Sequence, residues 1–128
     1  MKYDENAFRL VEHNTLLETF TFHNAVIATG GGTPCFYNNM ELINQHGFSI
    51  YIQMHKKSLF DRLINSKKKR PLLADKSAEE ILDQIEKQLG EREFYYLQSN
   101  LVVKGESLDI NKLIDSINPD SIRDNIKQ

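Results

Sequence analysis

Three short runs of β-forming residues are strung along this chain with helical stretches between them, and that alternation limits its architecture more than any other feature. The runs are Ala25 to Thr29, Phe48 to Gln53 ("FSIYIQ") and Leu101 to Val103. Strands that alternate with helices predict a parallel sheet covered on both faces, an α/β arrangement whose ligands gather at the carboxyl ends of the strands. The helical stretches carry their own signals. Phe8, Val11, Thr15 or Leu16, and Phe20 recur at helical spacing from Asn6 to about Phe20, until Asn24 breaks the pattern. Asn38 or Asn39 can cap a helix over Met40 to Gln45, which Gly47 is expected to end in the left-handed region. Ser58 to Ile64 reads as a short helix. Ser77-Ala78-Glu79-Glu80 is a capping box opening a helix with Ile81, Leu82, Ile85 and Leu89 on one face, and Glu91 to Gln98 is its partner stretch. Ile110 to Ile117 and Ile122 to Ile126 are the last helical segments. No repeat, low-complexity tract or composition break divides the chain, so residues 1–128 are expected to form one domain.

The first β-forming run ends in "ATGGGTPC", Ala28 to Cys35. The chain has only six glycines in 128 residues and places three of them side by side here. Each costs roughly 0.5–1 kcal/mol relative to alanine in regular structure, so the triplet needs a reason. That reason is either a sharp turn or a close approach of backbone to a ligand.

Charge and cysteine content narrow the functional classes. A formal charge of −2 argues against wholesale nucleic-acid or membrane binding, so any anion recognition must come from a local cluster. The single cysteine, Cys35, excludes an internal disulfide, fits a reducing compartment and reads as a packing residue. No apolar run approaches the roughly 18 residues of a membrane span, and Met1 to Asn6 holds no apolar signal core, so a cytoplasmic protein is expected. His13, His23, His46 and His55 lack the i, i+3 or i, i+4 pairing of a metal site. The run Lys67-Lys68-Lys69-Arg70 reads as a solvated charge run, a nuclear address or a phosphate-binding loop. Pro71-Leu72-Leu73 favours the last, since an apolar-tipped cationic loop can close over an anion and exclude water. Arg9 and Arg92 read either as surface cations or as forks shaped for a carboxylate.

Taken in order, "FR" at Phe8-Arg9 with Glu12 following, "ATGGGTPC" at 28–35, "DRL" at 61–63, "RPLL" at 70–73 and "ER" before aromatic residues at Glu91 to Tyr96 resemble shikimate kinase. The resemblance reaches to about Val103. It implies a three-layer, nucleoside-monophosphate-kinase-like P-loop fold with a parallel sheet. It also implies transfer of the γ-phosphate of ATP, with Mg2+, to the 3-hydroxyl of shikimate in aromatic amino-acid (chorismate) biosynthesis, by an enzyme that is usually monomeric. By the same resemblance Arg9 grips the shikimate carboxylate, Arg92 is a second arginine on the same substrate, and Gly31, with Gly32 beside it, supplies backbone close to its hydroxyls. Arg70 belongs to a mobile lid over residues 66–76 that reaches the ATP phosphates, and Arg62 lies against adenine. Guanidinium forks suit such a substrate, and a lid arginine can offset charge on a transferring phosphoryl group.

The family pattern opens with a strand, a G-x-x-x-x-G-K-[ST] loop, a helix and an acidic second strand, and the present sequence holds no such loop. The expectation is therefore a shikimate kinase that starts late, without its first two strands and first helix, and with little or no kinase activity alone. A non-catalytic shikimate-binding module, or one half of a split enzyme needing a partner chain, is the alternative. The family's sheet order, 2-3-1-4-5, would put the missing first strand between Ala25–Thr29 and Phe48–Gln53. Either those two pair across the gap, another chain fills it, or the product folds poorly, since each buried unpaired backbone group costs about 1–3 kcal/mol.

Overall fold

Helix α1 (Glu5–Thr19) starts at Asp4, whose carboxylate accepts the Asn6 N–H at 2.9 Å. Aspartate is among the residues that best satisfy the free N–H groups of a first turn. The computed structural model describes residues 4–66 and 75–117. Within them the order continues with a 3-10 turn (Thr33–Cys35), α2 (Asn39–His46), β1 (Ile50–Gln53), α3 (Lys56–Asn65), α4 (Ala78–Tyr96), β2 (Leu101–Lys104), a second 3-10 turn (Gly105–Ser107) and α5 (Ile110–Ser116). Arg70, the Lys67–Arg70 run, most of the 66–76 loop and the helix expected over Ile122–Ile126 lie outside the described residues.

The parallel sheet is present as one strand pair, with Ile50 beside Leu101 and Gln53 beside Lys104. Polar ties pin both ends of it. At the start, the Ser49 N–H donates to Asn100 Oδ1 and the Asn100 N–H to Ser49 Oγ, each at 2.9 Å. At the other end the His55 N–H donates to Glu106 Oε2 at 2.8 Å, and that bond holds the Glu106 carboxyl below its ordinary range. The capping box forms as its sequence requires: Ser77 Oγ accepts the Glu80 N–H at 3.1 Å, and Glu80 accepts the Ser77 N–H at 3.3 Å. The buried apolar residues, Leu16, Met40, Ile81 and Ile85, come from α1, α2 and α4, so the helices rather than the sheet carry the core among the described residues.

Several expectations are corrected. Ala25–Thr29 is not a strand: it runs without regular structure and is exposed throughout, with Val26 fully open to solvent. Residues Ile50–Gln53 pair with Leu101–Lys104, and no described residue offers Ala25–Thr29 a ladder, so direct pairing across the gap does not occur. Nor is the sheet covered on both faces, because no residue of either strand is fully buried. Gly47 does end α2, its N–H reaching Ile43 O, but at φ −163° it is extended rather than left-handed. The left-handed residues are Asn24 (φ 53°) and Tyr37 (φ 52°). Asn38 precedes α2 without a capping side-chain bond. The stretch over Glu91–Gln98 is no separate partner: it continues α4 as one helix of 19 residues to Tyr96.

Candidate functional site

The glycine triplet feeds directly into the first 3-10 turn, where Thr33 N–H donates to Gly30 O at 3.1 Å and Cys35 N–H to Gly32 O at 2.9 Å. None of the three glycines has a positive φ, so conformational freedom does not explain them. Space does. A Cβ on Gly31 would stand 2.9 Å from Arg92 Nη1 and 3.3 Å from the Tyr96 hydroxyl. One on Gly32 would stand 2.5 Å from Arg9 Nη1, 2.7 Å from Nη2 and 2.9 Å from Cζ. Successive glycines are thus each covered by a guanidinium, one from α1 and one from α4. Gly30 carries no such constraint, since its Cβ would make ordinary contacts at 3.4 Å and beyond.

The two arginines are held differently. Arg9, with 13% of its side chain exposed, donates to Glu12 Oε1 at 2.9 Å one helical turn on, and Glu5 lies 3.6 Å away. Its Cζ sits 4.1 Å from the centre of the Phe36 ring and 5.1 Å from that of Phe8. The other carboxylate oxygen of Glu12 accepts the Thr33 hydroxyl at 2.8 Å, so one side chain fixes both the arginine and the loop it covers. Arg92 has no carboxylate within ion-pair distance among the described residues. Its neighbour one turn along α4, Tyr96, donates its hydroxyl to Gly31 O. Two guanidinium groups lie on adjacent residues of one loop, and the acidic partners, Glu12 and Glu5, both stand at Arg9; Arg92 is the fork left for an anion.

Beneath the turn, Asn39 is fully buried, and both ends of its side-chain amide find a partner. Its Nδ2 donates to Thr33 O at 2.9 Å, which leaves Oδ1 to accept from His13 Nδ1 at 2.6 Å and fixes the proton of that ring on Nδ1. Burial pushes the Cys35 thiol above its usual range, against the opposing pull of Arg92 and Arg9, so it is a protonated, weakly nucleophilic group at neutral pH. Burial raises the Tyr96 phenol likewise, opposed by Arg92. Tyr51 is raised further, by burial and by its 2.7 Å hydrogen bond to Glu93. A cleft of about 260 Å³ opens next to these groups, walled by Tyr51, Leu59, Leu63 and Leu89, with Arg92 and Tyr96 at its polar side.

Of the residues singled out in the sequence, Arg9, Gly31, Gly32 and Arg92 meet at this corner, whereas Arg62 stands exposed on α3 and Arg70 lies outside the described residues. Gly31 is open to solvent, while Gly32 is buried beneath Arg9. Sequence reasoning missed Thr33, Phe36, Asn39 and the gripping role of Tyr96. Tyr96 was within reach, because four residues beyond Arg92 is the same helix face; nothing local marks the others. Among the described residues no three His, Cys, Asp or Glu side chains are grouped closely enough to form an all-protein metal site.

This is an α/β chain of nucleotide-kinase-like fold. The 1.7 Å crystal structure of shikimate kinase from Bacteroides thetaiotaomicron matches it with a TM-score of 0.77 and 39% identity, over 88% of this chain and 64% of that one. The shikimate kinase family model matches residues 1–119. Curated shikimate kinases from Azobacteroides pseudotrichonymphae and Phocaeicola vulgatus are 41% and 39% identical, over 90% and 93% of this chain and 68% and 67% of their own length. The curated B. thetaiotaomicron enzyme is 39% identical over 88% of this chain and 64% of its own length. The chain belongs to the shikimate kinase family and spans about two thirds of the length of these relatives.

Proposed function

We propose that this chain supplies the shikimate-binding portion of a shikimate kinase, and that Arg9 and Arg92 together receive the substrate carboxylate. The observation that carries this reading is the placement of both guanidinium groups on successive glycines, with a carboxylate partner for Arg9 alone. An incoming carboxylate would complete the charge balance at Arg92 and share the free N–H groups of Arg9. Gly31, exposed and without a side chain, leaves backbone open to a hydroxylated ring, and Gly32 serves by making room for Arg9. Arg62, and Arg70 within a 66–76 lid, are assigned to the ATP side on family resemblance.

Phosphoryl transfer needs more than the 128 residues contain. The sequence has no G-x-x-x-x-G-K-[ST] loop to cradle phosphates and to place a hydroxyl on Mg2+. Substrate binding without turnover is therefore the expected behaviour of the chain alone, with phosphorylation requiring a polypeptide that bears the phosphate loop. A cytoplasmic location remains part of the proposal; no described helix is long and apolar enough to cross a membrane.

Calorimetric titration tests the reading. Shikimate should bind the wild-type chain, and Arg9→Ala or Arg92→Ala should each weaken binding by about ten- to a hundredfold, the range for hydrogen bonds to charged groups of about 1.5–3 kcal/mol. ATP with Mg2+ should give no turnover in a coupled assay. Absence of shikimate binding by a cooperatively folded chain would overturn the proposal, and turnover by the chain alone would overturn its second half.

A further inference from the structure

Arg9 is pinned from one direction that neither its ion pairs nor the family pattern explains. Its guanidinium carbon lies 4.1 Å from the centre of the Phe36 ring, closer than the 5.1 Å to Phe8. Nε is buried without a hydrogen-bond partner, so the ion pairs do not hold that part of the cation, and the Phe36 ring face is the contact that covers it. On its other contacts the plane meets Gly32, where even a methyl group would collide, and Glu12, which takes Nη1. The ring itself is aimed by an unusual backbone. Tyr37, the next residue, has φ 52°, a conformation that costs a bulky L-residue about 1–2 kcal/mol and persists only where the surroundings enforce it. The surroundings do so here: the Tyr37 ring packs 4.8 Å from His13, and His13 is hydrogen-bonded to buried Asn39.

We propose that Phe36 is a positioning residue for Arg9: its ring face holds the guanidinium flat over Gly32, so that the edge not used by Glu12 stays in the plane where a carboxylate can meet it. The strained turn at Tyr37 keeps that ring in place. A cation stacked on an aromatic face keeps its N–H groups for in-plane acceptors, which makes the ring a support that does not compete with the ligand. The part of this inference that concerns substrate rests on the shikimate-binding reading; the part that concerns Arg9 geometry does not.

Two readouts separate them. In proton NMR spectra the side-chain signals of Arg9, assigned by their loss in Arg9→Lys, should be displaced upfield by the ring current in the wild-type chain. Phe36→Leu should remove most of the displacement, leaving the smaller part due to Phe8, and Phe36→Trp should restore it. In calorimetry, Phe36→Leu should weaken shikimate binding by about five- to thirtyfold, the span of a partly to fully desolvated cation–π contact, and Phe36→Trp should recover most of the loss. Thermal unfolding of each variant shows that it is folded, and rescue by Trp is not expected from a residue that merely fills space. An undisplaced Arg9 signal in the wild type, or Phe36→Leu binding at wild-type strength with the displacement retained, overturns the proposal. If no variant or wild-type chain binds shikimate but the displacement follows the ring, the substrate reading fails and the positioning of Arg9 by Phe36 stands.

Discussion

Residues Gly30–Asn39 and the segment just before them, Asn24–Thr29, are adjacent in the chain and held in opposite ways. The first is tied at nearly every step: Gly31 O to Tyr96, Gly32 under Arg9, Thr33 to Glu12 and to Asn39, Phe36 on Arg9. The second makes no hydrogen bond among the described residues and leaves Val26 fully exposed and Ile27 nearly half so. The difference lies in what each kind of structure requires. A loop can be fixed by single side chains reaching from neighbouring helices, because each bond needs one donor and one acceptor. A strand needs a second backbone beside it, since its own N–H and C=O groups point sideways along its whole length.

Four measurements sharpen or break that contrast. Asn39→Ala should have the largest effect, because it orphans the His13 N–H and the Thr33 carbonyl beneath the loop, at about 1–3 kcal/mol for each buried group left unpaired. Urea denaturation gives the value, and a loss below about 0.5 kcal/mol would mean that side-chain ties do not hold this corner. Gly32→Ala should come next, with a divided outcome. The new methyl strikes the end of a flexible side chain, so stability should change little, but it moves Arg9 off the loop and should lower shikimate affinity about tenfold or more by calorimetry. Equal losses of stability and affinity would show that the glycine serves the fold alone.

The third measurement uses pH. Tyr51 and Tyr96 are raised above the ordinary phenol value of 10.0 chiefly by burial, so the folded state favours the neutral phenols. Their contribution is fully present below pH 10 and is lost as the pH rises through the folded-state values. The melting temperature of the wild type should fall above about pH 10, and Tyr51→Phe should flatten that fall; an unchanged profile would remove Tyr51 from the account. The smallest effect is expected from Val26→Thr, which alters a fully exposed side chain outside any ladder and should stay within about 0.5 kcal/mol. A larger loss would show that the segment is covered in solution.

Legibility in the sequence follows the same division. The capping box at Ser77 to Glu80, the strand character of Phe48–Gln53 and of the run at Leu101, and the helix spacing from Asn6 were readable because each depends on local composition, on neighbours a few residues apart or on periodicity. Ala25–Thr29 has the composition of a strand, but composition cannot supply a partner. The site was legible in outline: the triplet needed a close approach, and Arg9 and Arg92 were the forks to look for. What covers the glycines could not be read, since the contacts join residues 65 apart for Tyr96 and Gly31 and 26 apart for His13 and Asn39. The left-handed turn fell on Tyr37, where no glycine or asparagine announces it.

Glu12 and Thr33 are 21 residues apart, and of the chain between them Asn24–Thr29 is an exposed tether that makes no hydrogen bond among the described residues. Closing a flexible loop costs free energy only with the logarithm of its length, about 0.6 kcal/mol for each doubling. The tether is therefore a place where the chain can gain or lose residues cheaply while Arg9 keeps its seat on Gly32. Divergence in length among relatives should accumulate between Phe22 and Thr29, and stop abruptly at Gly30.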